Sequence, residues 1–202
     1  MSALPAAPGR FLPFRAFPQW LDADMADALL DHAIAAEAQF TPAGVIYQDN
    51  SRIDPATRDA LRLKTLGPFK EQLTARALDA KPELERAFGC RPFEPKHVEI
   101  EVLAYGEAAH FRRHIDTLVL SKQPRSPRVL TLVLYLHKQP QGFSGGAIRL
   151  YALDGASTQD IAPEHNLMVA FPSFAPHSVE PVACPSGRFA DYRFAAVMWI
   201  HK

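Results

Sequence analysis

Cysteine is scarce: two residues, Cys90 and Cys184, in a chain of 202, too few for a disulfide framework. They are read as incidental thiols in a reducing compartment. An excess of either charge is missing too, because Lys plus Arg and Asp plus Glu both number 22. With no basic surplus to hold a phosphate backbone and no run of like charge, nucleic acid is not an expected partner. No apolar run approaches the roughly 18 residues that a membrane span needs. Residues 1–8 lack the charged start and apolar stretch of a secretory leader, so the expectation is a cytoplasmic protein without membrane contact. There is no Gly-Lys-Ser/Thr phosphate loop, dinucleotide fingerprint or Cys-x-x-Cys pair, which leaves those chemistries without support. Nothing in the sequence speaks to oligomeric state.

What is present is an ordinary globular composition, 48% hydrophobic and 22% charged, in a length typical of one domain. Residues 1–18 hold four prolines and little periodicity, as an extended arm would. From about Asp22, a possible cap, apolar residues recur at helical spacing. Further helices are predicted over 67–79 and 82–88, the second opened by Pro82 and closed by Gly89. From residue 96 the texture changes to strands. Residues 97–104 alternate, with Val98, Ile100 and Val102 on one face and His97, Glu99 and Glu101 on a face expected to be solvated. Residues 129–136 form a nearly continuous apolar run, and 147–151, 166–171, 177–182 and 192–200 follow between Gly and Pro turns. Helices first and strands afterwards predict one mainly β, α+β domain over 19–202, with a helical part over about 19–92 and a sandwich or barrel from about 96.

The strand-rich half contains His114-Ile115-Asp116. On a strand, residues two apart point the same way, so imidazole and carboxylate can converge on one ion. Two histidines and one carboxylate on one face of a metal form the facial triad of non-haem iron(II) oxygenases. The pair alone carries little weight, since chance supplies about half an instance in a chain of this composition. His97-Val98-Glu99 has the same spacing with no supporting motif around it. His110, His32, His137, His165 and His201 are read as bystanders.

Context gives the pair its meaning. The run Tyr105-Gly106, Phe111 and His114-Ile115-Asp116-Thr117, the strand 128–138 with Tyr135-Leu136-His137-Lys138, Ser144-Gly145-Gly146 and Pro176-His177-Ser178-Val179 stand in one order. Together they resemble the prolyl 4-hydroxylase-like branch of the iron(II)- and 2-oxoglutarate-dependent oxygenases, over about half the chain. The resemblance implies a double-stranded β-helix, a jelly-roll or cupin-like core buttressed by the N-terminal helices. It implies Fe(II) on His114, Asp116 and His177, with 2-oxoglutarate as cosubstrate and ascorbate as reductant. Tyr135 and Tyr105 fall at cofactor-binding positions. Two arginines compete for the distal carboxylate: Arg188, 11 residues after His177, and Arg193, which opens the last strand six residues before Trp199. Arg193 is preferred, because a strand holds a ligand group more firmly than a loop does. The implied reaction is hydroxylation of a C–H bond, with a prolyl residue in a peptide or protein as the first substrate expectation. Free amino acids or small metabolites are the second. A non-catalytic cupin-like binding protein and a zinc hydrolase are the rival classes. Residues 41–56 are either a lid or an ordinary loop.

Overall fold

The computed structural model describes residues 10–47, 50–117 and 126–202. Two helices form where apolar residues recur at helical spacing. Helix α1 (Ala23–Ala35) follows Asp22 and buries Ala26, Leu29, Leu30 and Ala33, although Asp22 makes no side-chain capping bond. Helix α2 (Phe69–Phe88) buries Leu73, Ala77 and Leu84 and ends at Gly89, whose φ of 65° is the left-handed conformation that glycine tolerates best. The sequence predicted two helices here, yet Pro82 lies inside one. Its ring removes one backbone donor, but Ala77 and Leu84, buried on either side of it, keep both halves on a single axis against the sheet. The Lys81–Glu85 ion pair spans the same turn at 2.7 Å.

The strands in chain order are β1 (Arg15–Phe17), β2 (Thr41–Pro42), β3 (Val45–Tyr47), β4 (Asn50–Arg52), β5 (Arg58–Asp59), β6 (Leu61–Leu63), β7 (His97–Tyr105) and β8 (His110–His114), then β9 (Arg128–Leu136), β10 (Ser144–Gly145), β11 (Ile148–Tyr151), β12 (Thr158–Ile161), β13 (Met168–Pro172), β14 (His177–Val179), β15 (Val182–Ala183) and β16 (Arg193–His201). Seven of them form a larger sheet in the order β1-β13-β9-β16-β7-β6-β2, and five form a smaller one in the order β12-β11-β14-β8-β5. Every described pairing is antiparallel. The result is the jelly-roll core with helices on one side. Within the expected arm, Arg15–Phe17 pairs with β13 as an edge strand.

Period-two alternation sorts the side chains of the long central strands into two layers. On β16, Phe194, Ala196, Met198 and Ile200 join the core under the helices, while Ala195, Val197 and Trp199 face the smaller sheet. On β9 the leucines at 130, 132, 134 and 136 take the helix side, and Val133 and Tyr135 take the other. All nine residues of β16 are buried, so its apolar run carries no polar face to read from hydropathy. On β7 the alternation is as predicted, but its polar face is not the solvated surface expected: Glu101 is 7% exposed and, with Glu99, lines the space between the sheets. Segment 58–63 closes one side of that space. Within it β5 pairs with β8 of the smaller sheet and β6 with β7 of the larger one, crossing over at the buried Ala60.

Candidate metal centre and cosubstrate pocket

Strand β8 ends at His114, and β14 begins at His177, which stands opposite His114 in the register of the smaller sheet. Asp116 lies past the strand end rather than on it, a departure from the predicted strand pair. Its backbone N–H donates to Ser173 O at 2.8 Å, and this bond swings the carboxylate back toward the two rings. The three side chains are the one group among the described residues placed to share an ion, with ligand atoms all within 4.8 Å of one another. His114 Nε2 is 3.6 Å from Asp116 Oδ1, and His177 Nε2 is 3.8 Å from Asp116 Oδ2.

The surroundings fix which atoms can bind. His114 Nδ1 donates to Arg112 O at 2.8 Å and His177 Nδ1 to Ala175 O at 2.9 Å. A carbonyl can only accept, so each Nδ1 carries the hydrogen and each Nε2 keeps its lone pair for the centre. Burial, followed by the nearby His114, pushes the His177 pKa down to about 4, so the ring is neutral at physiological pH. For Asp116 burial acts to raise the pKa, but His177 and His114 outweigh it and hold the carboxyl well below the usual carboxylate range. Trp199 acts in the same direction, although its Nε1 meets no acceptor within hydrogen-bonding geometry among the described residues. Thr131 Oγ1 donates to Asp116 Oδ2 at 2.9 Å and lies 2.8 Å from Ser173 Oγ, which orients the carboxylate. Phe111 stacks on His114, with ring centroids 3.5 Å apart, and Phe171 packs on His177.

The triad opens into a cavity of about 600 Å³ between the sheets. Arg193 lines it, 1% exposed, with its guanidinium carbon 4.8 Å from the ring centres of both Tyr105 and Tyr135. Its Nε donates to Gly146 O at 3.0 Å. Gly146 has φ 67°, and a Cβ there would stand 2.9 Å from Val182 and 3.2 Å from the Arg193 side chain, so glycine is what lets this backbone approach. No carboxylate pairs with Arg193 among the described residues. A buried, always-charged guanidinium in that position suits an anion. Tyr135 lies behind the wall; burial pushes its pKa up to about 12, and its hydroxyl has no partner among the described residues, so it remains a donor. The donor set and the orphaned buried groups therefore fit iron(II) and a dicarboxylate.

Arg188 is elsewhere. Its side chain is 76% exposed and paired with Asp191 at 2.7 Å. His97 and Glu99 do not form a second metal pair: His97 stacks on His201, and Glu99 is held by Arg128 and His201. His110 contacts backbone carbonyls of Ala108 and Ala56. Sequence reasoning missed Thr131, and it missed the cations Arg58, Arg62 and Lys64 on the cavity wall. The hydroxyl at 131 carries no motif of its own, and Arg58 and Arg62 sit on strands too short to show a period, with Lys64 just past the second.

Among the described residues, no helix is long and apolar enough to cross a membrane. The family model of the 2OG-Fe(II) oxygenase superfamily matches residues 100–201. An uncharacterized PKHD-type hydroxylase of Synechocystis sp. is 33% identical over 129 residues, which are 60% of this chain and 42% of that protein, so the match spans about two fifths of the relative's length. Among solved structures, a Pseudomonas putida prolyl-4-hydroxylase aligns with a TM-score of 0.69 and 20% identity, covering 94% of this chain and 92% of that one. A Trichoplax adhaerens prolyl hydroxylase, solved with a hypoxia inducible factor oxygen degradation domain peptide fragment, aligns with a TM-score of 0.70 and 18% identity over 94% of this chain and 84% of that one. These last two likenesses concern the fold. With the triad, the orphaned guanidinium and the family match together, the chain belongs to the 2OG-Fe(II) oxygenase superfamily.

Proposed function

We propose that the chain hydroxylates a C–H bond of a prolyl residue in a peptide or protein, with Fe(II) on His114, Asp116 and His177. Residues 19–202 would act as one oxygenase domain. The observation that carries the reading is Arg193, a buried guanidinium without an acid partner among the described residues, in the same cavity as two histidines and a carboxylate. Bound iron and 2-oxoglutarate supply, with dioxygen, the oxidant that replaces a hydrogen by a hydroxyl as the cosubstrate becomes succinate and carbon dioxide.

The protein's own contribution is placement. Arg193 would receive the distal carboxylate of 2-oxoglutarate through the nitrogens not used on Gly146, and Tyr135, whose ring centre lies 4.8 Å from the guanidinium carbon, would help to hold that side chain in place. Tyr105 packs on the same guanidinium, with its ring centre 4.8 Å from the guanidinium carbon. Three protein ligands would leave positions on a bound iron for cosubstrate and oxygen, which a closed structural zinc site would not. The aromatic and aliphatic wall of Phe111, Val133, Val197 and Trp199 limits the access of water to the reacting atoms. The prolyl substrate is supported by the two structural neighbours, a prolyl-4-hydroxylase and a prolyl hydroxylase.

The test uses purified protein with iron(II), ascorbate, 2-oxoglutarate and air, together with an extract of its source cell. Succinate is followed, and added oxygen is located by mass spectrometry. Oxygen on peptidyl proline, abolished in His114→Ala, is the expected outcome. Oxygen on a free metabolite would replace the substrate, and tight binding of both cofactors without succinate would favour a binding protein.

A further inference from the structure

Charge in the cavity is unbalanced. Six cationic and three acidic side chains line it. Asp116 belongs to the triad, Glu99 is gripped by Arg128 at 2.8 Å, and Glu101 lies 3.4 Å from Arg62. Arg193 is assigned above to 2-oxoglutarate, and Arg52 pairs with Asp54 at 3.2 Å. Arg58 and Lys64 then remain, with no acid partner among the described residues. Loading the site does not change this, because iron(II) and 2-oxoglutarate carry equal and opposite charges.

Arg58 is held in place. Its Nη1 donates to Gly44 O at 3.0 Å, and its guanidinium carbon stands 4.8 Å from the centre of the Phe111 ring, which itself stacks on His114. The Arg58 Nε is buried with no hydrogen-bond partner among the described residues. The Arg58 side chain lines the cavity, and a carboxylate accepting from its guanidinium is among the stronger hydrogen bonds available. Lys64 follows β6 on the exposed rim of the same wall.

We propose that the substrate is anionic and sets a carboxylate against Arg58 and Lys64; in a peptide, this is an aspartate or glutamate beside the oxidised residue. The inference takes its site from the hydroxylase reading but does not require that the target be proline.

The experiment is fluorescence anisotropy of labelled peptides on protein loaded with iron(II) and 2-oxoglutarate without oxygen. Peptides of one length carry Pro or Leu at the centre and Asp/Glu, Asn/Gln or Lys on the flanks. Acidic flanks are expected to bind about 10-fold tighter than their amides, the size of one hydrogen bond to a charged group. That preference should shrink with added salt. Arg58→Gln and Lys64→Glu should each reduce it several-fold, and Lys64→Arg should preserve it. Lys64 is exposed, so its variants report even if Arg58→Gln fails to fold. Equal binding of acids and amides, tighter binding of the Lys peptides, or an unchanged preference in Lys64→Glu overturns the proposal. Acid preference without discrimination between Pro and Leu supports it and removes the prolyl reading, and the opposite pattern does the reverse. Free glutamate binding where acidic peptides do not assigns the carboxylate to a small molecule, whereas failure of every anion to bind overturns the idea.

Discussion

At one end of the cavity, Tyr105 and Arg193, with Tyr135 behind them, sit on nine-residue strands at the centre of the larger sheet, each at most 1% exposed. At the other, Arg58 belongs to a strand of two residues and Lys64 follows one of three, partly or fully open to solvent. The first group is registered by ladders on both sides and by packing from the helix layer; of the second, Arg58 lies on the edge strand of the smaller sheet and Lys64 just past the end of β6, where few ladder bonds reach. Groups that must place a metal and a cosubstrate to within a fraction of an ångström are built where nothing can shift. Groups that select among substrates stand where sequence can change at little structural cost.

That contrast ranks the expected effects. His177→Ala, at the rigid end, should abolish succinate release and lower iron affinity by at least the roughly 100-fold that loss of even an outer partner can cost. Metal content after dialysis checks this. Arg193→Met should raise the KM for 2-oxoglutarate by about 10- to 100-fold, the loss of one or two charge-assisted hydrogen bonds. Arg188→Met, only five residues away, should leave that KM unchanged, because its exposed pair with Asp191 is worth little. Thr131→Val removes the donor to Asp116 Oδ2 and should weaken iron binding by about 10-fold while the fold is kept.

The smallest effect concerns acid stability at Glu99. Burial would raise its pKa, but the hydrogen bond from His201 and the charge of Arg128 outweigh it and bring it down to about 2 from an ordinary 4.5. A carboxylate depressed in the folded state stabilises fully above its unfolded pKa and loses that contribution as pH falls through the folded value. Glu99→Gln should therefore melt below the wild type at neutral pH. The gap should stay constant down to about 4.5 and close toward 2 in thermal scans.

The rigid end was also the legible one. His114, Asp116, His177, Tyr135 and Ser144-Gly145-Gly146 could be found because each must occupy one place, which ties residue type to spacing. Where only local physics was available, the reading slipped. The alternation of β7 told which face is apolar, not that the face carrying Glu99 and Glu101 fronts a cavity rather than solvent. Pro82 predicted a break that tertiary packing of α2 overrides. The turn that returns Asp116 to the site rests on a backbone bond to Ser173, which no side-chain pattern encodes. Strands β2 to β6, of two or three residues each, are too short for a period to show.

The central claim is that Asp116 and the two histidines hold iron while Arg193 seats 2-oxoglutarate beside it. Anaerobic titration of the iron-loaded protein with 2-oxoglutarate, followed by the visible absorption that chelation of a keto acid to iron(II) produces, tests it directly. The account predicts a saturable band in the wild type, the same band at much higher 2-oxoglutarate in Arg193→Met, and none in His177→Ala. A wild type without the band, or an Arg193→Met titration that overlays it, would contradict the account.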